Sequence, residues 1–240
     1  MRNRFRAFGL ALLFFAITGC GQWSRLEHSF SDDRSFEIDE QNGFLYAWRA
    51  PRGKSADHPA KNFFVLFHPA GSTGDEFLEK WNSVVGSDEN LILAPTATGE
   101  APYGSNTFEK ELLSVIQNFQ SGYSVHPDKT FLIGESNGAI YGFRFLADHP
   151  ELFRAAVLIS GVLNQDVINR IKNSPPLRKT PILMIHGTDD QTFNVQIAEK
   201  ESEFLKKMGL AVEFQKVEGM GHGADAFTED DAARWLRKFE

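Results

Sequence analysis

The sequence contains a single cysteine, Cys20, among its 240 residues. No internal disulfide can form, so the stability of the folded chain must come from its core. Lysines and arginines form no stripe, and the formal net charge is −7, which argues against nucleic acid as a partner. No two histidines stand at a spacing typical of metal ligands, so no zinc site or other metal site is predicted.

A long hydrophobic run is also lacking. The uncharged apolar run at residues 7–18 has twelve residues, which is too short to span a bilayer as a helix. Arg2, Arg4 and Arg6 precede this run, and a basic segment followed by a short apolar core is typical of an export signal. Residues 1–19 are therefore predicted to be removed.

The apolar run ends in Ile17-Thr18-Gly19-Cys20, which resembles a bacterial lipobox. The resemblance implies cleavage before Cys20 and lipidation of that cysteine, with residues 20–34 as a polar tether. The chain would then be an exported lipoprotein anchored in a membrane, favouring the outer membrane or the cell surface. Simple secretion with a stray cysteine is the alternative. Loss of three arginines with the signal takes the net charge from −7 to −10.

Residues 35–240 are predicted to form one domain, since 42% of the chain is apolar and no repeat interrupts it. Strand-like apolar runs alternate with helical patterns of ten or more residues. This alternation predicts an α/β fold with a mostly parallel, twisted sheet and helices on both faces. Residues 36–38 and 44–49 are predicted to form an antiparallel hairpin around Asn42-Gly43. The connection at residues 161–180 is too short for a large lid. The predicted strands span residues 63–67, 91–93, 130–133, 155–159, 182–185 and 212–217, and the last helix is expected to open at Thr228.

The most informative motif is Gly134-Glu135-Ser136-Asn137-Gly138, which directly follows the apolar run at residues 130–133. Glycines on a strand-to-helix turn let the chain bend sharply enough to lift a serine hydroxyl above the end of a sheet. Ser136 is therefore the candidate nucleophile. A plain turn serine is the other interpretation of the motif taken alone.

A serine nucleophile needs a base in contact and a third group that orients the base. His222 follows the predicted strand at residues 212–217, and Asp190 follows the strand at 182–185. The order Ser136, Asp190, His222, with spacings of 54 and 32 residues, is that of the α/β-hydrolases. Asp189 competes with Asp190 as the acid, and His222 read alone would be an exposed loop histidine.

An acyl-transfer site also needs donors for an oxyanion. The Asn137 N–H, at the N-terminus of the following helix, is one candidate. The loop after residues 63–67 reads His68-Pro69-Ala70-Gly71, and because proline has no N–H, Ala70 is the candidate for the second donor. A tight turn or a phosphate cradle is the alternative for this loop, which lacks the lysine that ends a P-loop.

Residues 63–222 resemble the esterase family of poly(3-hydroxybutyrate) depolymerases, feruloyl esterases and acetylxylan esterases. The likeness lies in His68-Pro69-Ala70-Gly71, in the serine motif at 134–138, in His186-Gly187-Thr188-Asp189-Asp190 and in Gly221-His222. The family pattern H-G-x-x-D selects Asp190 and gives His186 a structural role. Pro69 departs from the glycine usual in that family.

The resemblance implies an α/β-hydrolase and a serine carboxylic-ester hydrolase without a metal or organic cofactor. Its expected substrates are short-chain, hydroxyacyl or aryl esters, either small molecules or esters linked to a polysaccharide or polyester. A peptidase or thioesterase with the same three residues is an alternative within enzymes. A non-catalytic lipoprotein that binds a ligand is the alternative outside them.

Overall fold

The computed structural model describes residues 36–51 and 59–240. The predicted signal segment, Cys20 and the predicted tether lie outside the described residues. Across these two ranges, eight strands, numbered along the chain, form one sheet in the order β1-β2-β4-β3-β5-β6-β7-β8. The strands are β1 (Glu37–Gln41), β2 (Phe44–Arg49), β3 (Phe63–Phe67), β4 (Leu91–Thr96), β5 (Thr130–Glu135), β6 (Ala155–Ile159), β7 (Ile182–Gly187) and β8 (Val212–Val217).

The sheet is parallel from β4 to β8, and only β1 and β2 run antiparallel to their neighbours. Strands β3 to β7 are largely apolar and buried on both faces, as parallel strands covered by helices must be. The predicted α/β-hydrolase fold with a mostly parallel sheet is confirmed.

Among the described residues, six α-helices cover both faces of the sheet. Helices α1 and α6 pack on one face around Trp81 and Trp235. Helices α2 to α5 contribute to the core on the other face, which contains a cluster of aromatic rings around Phe108 and Phe145. The helices are α1 (Gly74–Val85), α2 (Asn106–Gly122), α3 (Asn137–Asp148), α4 (Gln165–Lys172), α5 (Val195–Lys207) and α6 (Ala226–Leu236).

The first hairpin forms where the sequence predicts it. Asn42 and Gly43 both have positive φ, at 52° and 77°. Two consecutive left-handed residues are characteristic of the type I′ turn, whose twist matches that of the flanking strands.

Several element boundaries differ from the prediction, and β1, β4, β5 and β7 each extend beyond the C-terminal end of the predicted run. The last helix begins at Ala226, two residues before Thr228, because Asp225 caps it by accepting a hydrogen bond from the Thr228 N–H at 2.8 Å. Strand β4 continues past residue 93 to Thr96, since its end pairs with β2, where Leu45 faces Thr96. A pairing partner distant in sequence leaves no local signal.

The connection between β6 and β7 contains α4 and a 3₁₀ turn at Pro175–Lys179. Val167 and Ile171 on one side of α4 are buried in the core. The described part of this connection thus packs as an ordinary layer of the domain. Within residues 36–51 and 59–240, no helix has both the length and the apolar character needed to cross a bilayer.

Candidate active site

Ser136 sits on a strained turn between β5 and α3. Its φ of 53° and ψ of −117° place a non-glycine residue in a sparsely populated region. The Ser136 N–H donates to the Ile159 carbonyl of the adjacent strand at 2.8 Å, which holds the turn in place. A Cβ on Gly138 would overlap the Phe67 carbonyl oxygen, so α3 can approach β3 this closely only with glycine there.

The three side chains predicted to act together form one hydrogen-bonded chain. The Ser136 Oγ lies 2.8 Å from His222 Nε2, and His222 Nδ1 lies 2.8 Å from Asp190 Oδ2. An ionised carboxylate only accepts hydrogen bonds, so the proton of a neutral His222 resides on Nδ1. This tautomer leaves Nε2 free to accept the serine proton.

Asp190 is held by backbone donors from the turn after β7. Its side chain is fully buried, and its Oδ1 accepts the Thr192 N–H at 2.8 Å and the Phe193 N–H at 2.9 Å. Burial acts to raise the pKa of Asp190, but the hydrogen bonds from Phe193, His222 and Thr192 outweigh it, so that the pKa is lowered. Asp190 is therefore an ionised partner for His222 at neutral pH.

Asp189, the competing acid, points elsewhere. It is exposed, and its Oδ1 accepts a hydrogen bond from the Thr188 hydroxyl at 3.2 Å. The structure thus brings Asp190, and not Asp189, to His222.

The loop that carries His222 is fixed from the side of β6. The Gly223 N–H donates to Ser160 Oγ at 3.1 Å, and Ser160 is fully buried with a φ of 51°. The Phe193 ring lies edge-on to the His222 ring, with centroids 5.5 Å apart. The His222 side chain keeps 28% of its surface exposed, whereas Ser136 is only 8% exposed. The imidazole is therefore partly open to solvent, whereas the nucleophile is nearly covered.

Both predicted oxyanion donors lie where β3 and β5 end side by side. Strands β3 and β5 are parallel neighbours, but the chain goes from β3 to β4 on one side of the pair and from β5 to β6 on the other. Such a switch point in strand order is where α/β sheets form ligand crevices. Asn137 is the first residue of α3, and Ala70 is exposed in the loop after β3. Within the described residues, neither N–H donates to a backbone acceptor.

His68 organises the loop that carries Ala70. Its Nε2 accepts the Ala97 N–H at 3.0 Å, so its Nδ1 carries the proton and donates to the Pro69 carbonyl at 2.8 Å. The peptide is trans, so the Ala70 N–H points opposite to that carbonyl and away from the His68 ring. Burial lowers the pKa of His68 and keeps the ring neutral. Pro69 is thus compatible with a fixed donor at Ala70.

Sequence reasoning alone considered Tyr103 only as a lining of an acyl or aryl pocket, and it assigned no role to Ser160. The Tyr103 hydroxyl donates to the His68 carbonyl at 3.2 Å, and Ser160 accepts from the His222 loop. The only sequence feature that could have indicated a role for His68 is its position directly before the predicted oxyanion loop. Ser160 directly follows a buried strand. Its hydrogen bond with Gly223 joins residues that are 63 positions apart, so no local sequence pattern could predict it.

Curated relatives of the chain include proteins named as carboxylesterases and as acyl-protein thioesterases. A probable inactive carboxylesterase of Oryza sativa subsp. japonica is 24% identical over 209 residues, which cover 75% of this chain and 85% of the relative. Carboxylesterase SOBER1 of Arabidopsis thaliana is 26% identical over 149 residues, covering 58% and 64%. An acyl-protein thioesterase 1 of Aspergillus fumigatus is 32% identical over 78 residues, which cover 32% of each chain.

Solved structures with a similar fold are also esterases. Esterase PE8 has a TM-score of 0.64 at 22% identity, covering 78% of this chain and 96% of its own. Zea mays acyl-protein thioesterase 2 has a TM-score of 0.61 at 19% identity, covering 81% and 98%. At this level of identity the likeness shows the fold.

The family model described as phospholipase/carboxylesterase matches residues 105–239, which is more than half of the chain and includes Ser136, Asp190 and His222. The narrower resemblance to depolymerases, feruloyl esterases and acetylxylan esterases stays a prediction. The chain belongs to the phospholipase/carboxylesterase family of α/β-hydrolases.

Proposed function

We propose that this protein is a serine carboxylic-ester hydrolase in which Ser136, His222 and Asp190 carry the chemistry. The observation that supports this most directly is the unbroken hydrogen-bonded chain from the Ser136 hydroxyl through His222 to the buried Asp190 carboxylate. A hydroxyl is a weak nucleophile unless an adjacent base takes its proton, and this arrangement supplies one.

In the proposed reaction, Ser136 Oγ attacks the ester carbonyl while its proton passes to His222 Nε2. The imidazolium so formed is stabilised by the Asp190 carboxylate at 2.8 Å. His222 then returns the proton to the leaving alkoxide, leaving an acyl-serine. Water, deprotonated by the same imidazole, attacks the acyl group and releases the acid and Ser136.

The negative oxygen of each tetrahedral intermediate would be held by the N–H groups of Asn137 and Ala70. The Asn137 N–H lies in the first turn of α3, where the helix dipole also favours negative charge. The Ala70 N–H is oriented by the His68 bond to the Pro69 carbonyl. Donors fixed before the reaction need no reorganisation when charge develops on the oxygen.

The decisive experiment is covalent capture with a fluorophosphonate probe, which reacts with an activated serine. The wild type should be labelled, and Ser136→Ala and His222→Ala should not. Ser121→Ala, at an exposed serine near the end of α2, is the control and should label like the wild type. An unlabelled, folded wild type would favour the non-catalytic alternative, since the rice relative is a probable inactive carboxylesterase.

For the substrate we propose short-chain, hydroxyacyl or aryl esters. The support is the connection between β6 and β7, where α4 buries Val167 and Ile171 in the core. We expect a site open to short or accessible ester ends. p-Nitrophenyl esters of increasing chain length, methyl ferulate, acetylated xylan and hydroxybutyrate oligomers would test it. A rate that jumps above the micelle threshold of a long-chain ester would overturn this assignment.

A thioesterase is the second candidate, because the fungal relative is an acyl-protein thioesterase 1 and is 32% identical over the 78 residues it shares with this chain. Oxygen esters and thioesters with the same acyl group distinguish the two functions. A kcat/KM at least tenfold higher for the thioester would favour the second candidate.

We further propose that the mature protein is a lipoprotein anchored through Cys20 in the outer membrane or at the cell surface. The support is the signal-like segment that ends in Ile17-Thr18-Gly19-Cys20. Two or more acyl chains anchor a protein stably, whereas one holds it only marginally. Fractionation and intact mass of the wild type and Cys20→Ser test this. A wild type found in the soluble fraction at unmodified mass would refute the anchor and leave the esterase proposal intact.

A further inference from the structure

A charged cluster lies behind the site and contacts both the serine turn and the histidine loop. Lys80, on α1, places its Nζ 2.8 Å from Glu135 Oε2 and 3.1 Å from the Ala224 carbonyl oxygen. Glu135 is the residue before Ser136, and Ala224 is the second residue after His222. One ammonium group therefore bridges the two segments whose side chains must meet.

Glu135 also contacts the histidine loop directly. A Cβ on Gly223 would lie 2.6 Å from Glu135 Oε1, so the carboxylate packs against the backbone of the residue that follows His222. Gly223 has a φ of 97°, a conformation that favours glycine. Gly223 and Ala224, the two residues after His222, are thus contacted by the Ser160 hydroxyl, the Glu135 carboxylate and the Lys80 ammonium.

The cluster carries more negative than positive charge. Glu135 keeps 8% and Glu229 10% of its side-chain surface exposed, and Lys80 keeps 32%. The Glu229 Oε1 lies 3.5 Å from the Lys80 Nζ. Burial raises the pKa of Glu229 against the opposing effect of Lys80, and Glu135 and Asp225 raise it further. A single ammonium therefore serves two buried carboxylates, and its removal would leave both without their cation.

We propose that Lys80 and Glu135 form a positioning pair that sets the location of His222 relative to Ser136 and the balance of charge behind the two residues. The inference rests on the proposed serine-esterase function. Neither side chain contacts the reacting hydroxyl in the hydrogen-bonded chain of Ser136, His222 and Asp190. Their effect passes through the backbone of residues 222–224 and through their charges.

The two members of the pair act on the His222 imidazolium with opposite sign. The charged and titratable groups that face the ring or its loop include Asp190, His186, Glu135, Lys80, Glu229 and Asp225. Loss of the Lys80 cation leaves an excess of negative charge behind the site, which stabilises a protonated imidazolium relative to the neutral ring. Loss of the Glu135 anion has the reverse effect. Because activity needs the neutral ring, the acid limb of kcat/KM should move with this balance of charge.

The test compares the pH profiles of kcat/KM for Lys80→Met, Lys80→Arg and Glu135→Gln with the wild type. The acid limb should move to higher pH in Lys80→Met and to lower pH in Glu135→Gln, and Lys80→Arg should restore it. Lys80→Met should also lower kcat about tenfold with KM unchanged, because small displacements of a catalytic group are costly. Lys61→Met is the matched control, since it breaks a 3.2 Å ion pair between Lys61 and Glu240. Lys61 lies just before β3, at the opposite end of that strand from the loop that carries Ala70.

Each outcome is informative. Acid limbs that coincide with the wild type in both Lys80→Met and Glu135→Gln would overturn the inference, as would an equal loss of kcat in Lys61→Met. If Lys80→Met fails to fold, the near-isosteric Glu135→Gln decides alone by the direction of its shift. Fluorophosphonate labelling of the wild type distinguishes failure of the esterase proposal from failure of the positioning pair. An unlabelled wild type refutes the esterase proposal. A labelled wild type whose variants show no shift of the acid limb refutes only the positioning pair.

Discussion

His186 and His222 share one oxygen of Asp190. His186 Nε2 lies 3.1 Å from Asp190 Oδ2, which also accepts from His222 Nδ1 at 2.8 Å. The same His186 nitrogen lies 2.8 Å from the Phe193 carbonyl oxygen. A ring nitrogen facing two acceptors must carry a hydrogen, so His186 donates from the end of β7 to the turn that presents the acid.

Loss of this donor should weaken both the fold and the activity. His186 is 1% exposed, and His186→Leu would leave the Phe193 carbonyl and one Asp190 interaction without a donor, at a cost of about 1–3 kcal/mol in the free energy of unfolding. We expect kcat to fall about tenfold as Asp190 loses its fixed position. His186→Gln can place an N–H near the same point and should recover part of both losses. Thermal unfolding and ester hydrolysis measure them.

The two neighbouring aspartates should behave differently. Asp190→Ala removes the carboxylate that orients His222, and we expect a loss in kcat of about 10⁴-fold, somewhat less than for Ser136→Ala or His222→Ala. Asp189→Ala removes an exposed side chain bonded to the Thr188 hydroxyl and should retain most of the activity. Steady-state kinetics on one p-nitrophenyl ester is sufficient. A larger loss for Asp189→Ala would show that the acid is misassigned.

The sequence was sufficient to predict the frame of the fold and the residues that meet at the site. Apolar runs of the strands are local, and the serine motif directly follows one of them. Asp190 and His222 each follow a later strand, and parallel strands bring their carboxyl ends to the same edge. Chain order alone therefore predicted their meeting.

What the sequence could not predict depends on tertiary contacts. The extension of β4 to Thr96 follows from its pairing with β2, and the Lys80–Glu135 contact crosses 55 residues. A lysine on an amphipathic helix is ordinarily solvated, and nothing around Lys80 in the sequence distinguishes it from Lys110, whose side chain is 82% exposed. Such partners become visible only after the helices are packed on the sheet.

Gly138→Ala should prevent the serine turn from closing. The added Cβ would overlap the Phe67 carbonyl oxygen and lie 2.7 Å from that of His68, and both are backbone atoms that cannot rotate away. We expect a loss of about 3 kcal/mol in stability together with loss of probe labelling at Ser136. Gly99→Ala is the control, because a Cβ there meets nothing within 4 Å. A Gly138→Ala protein with the melting temperature of the wild type would contradict the close packing of α3 on β3.

Glu201 should make stability depend on pH near neutrality. This half-buried carboxyl on α5 accepts the Leu163 N–H at 3.0 Å, and burial raises its pKa to about 7 against the lowering effect of that bond. In the unfolded chain it ionises at about 4.3, so the fold loses stability as the pH rises from there through 7. Glu201→Gln keeps an acceptor for Leu163 and removes the titration.

Between pH 5 and pH 8 the free energy of unfolding of Glu201→Gln should therefore increase relative to that of the wild type. We expect about 1 kcal/mol after screening by solvent, or about 2–4 °C in melting temperature. Glu203→Gln, at an exposed position of the same helix, is the matched control and should track the wild type at both pH values. If Glu201→Gln and Glu203→Gln shift alike, the buried environment of Glu201 is not the cause.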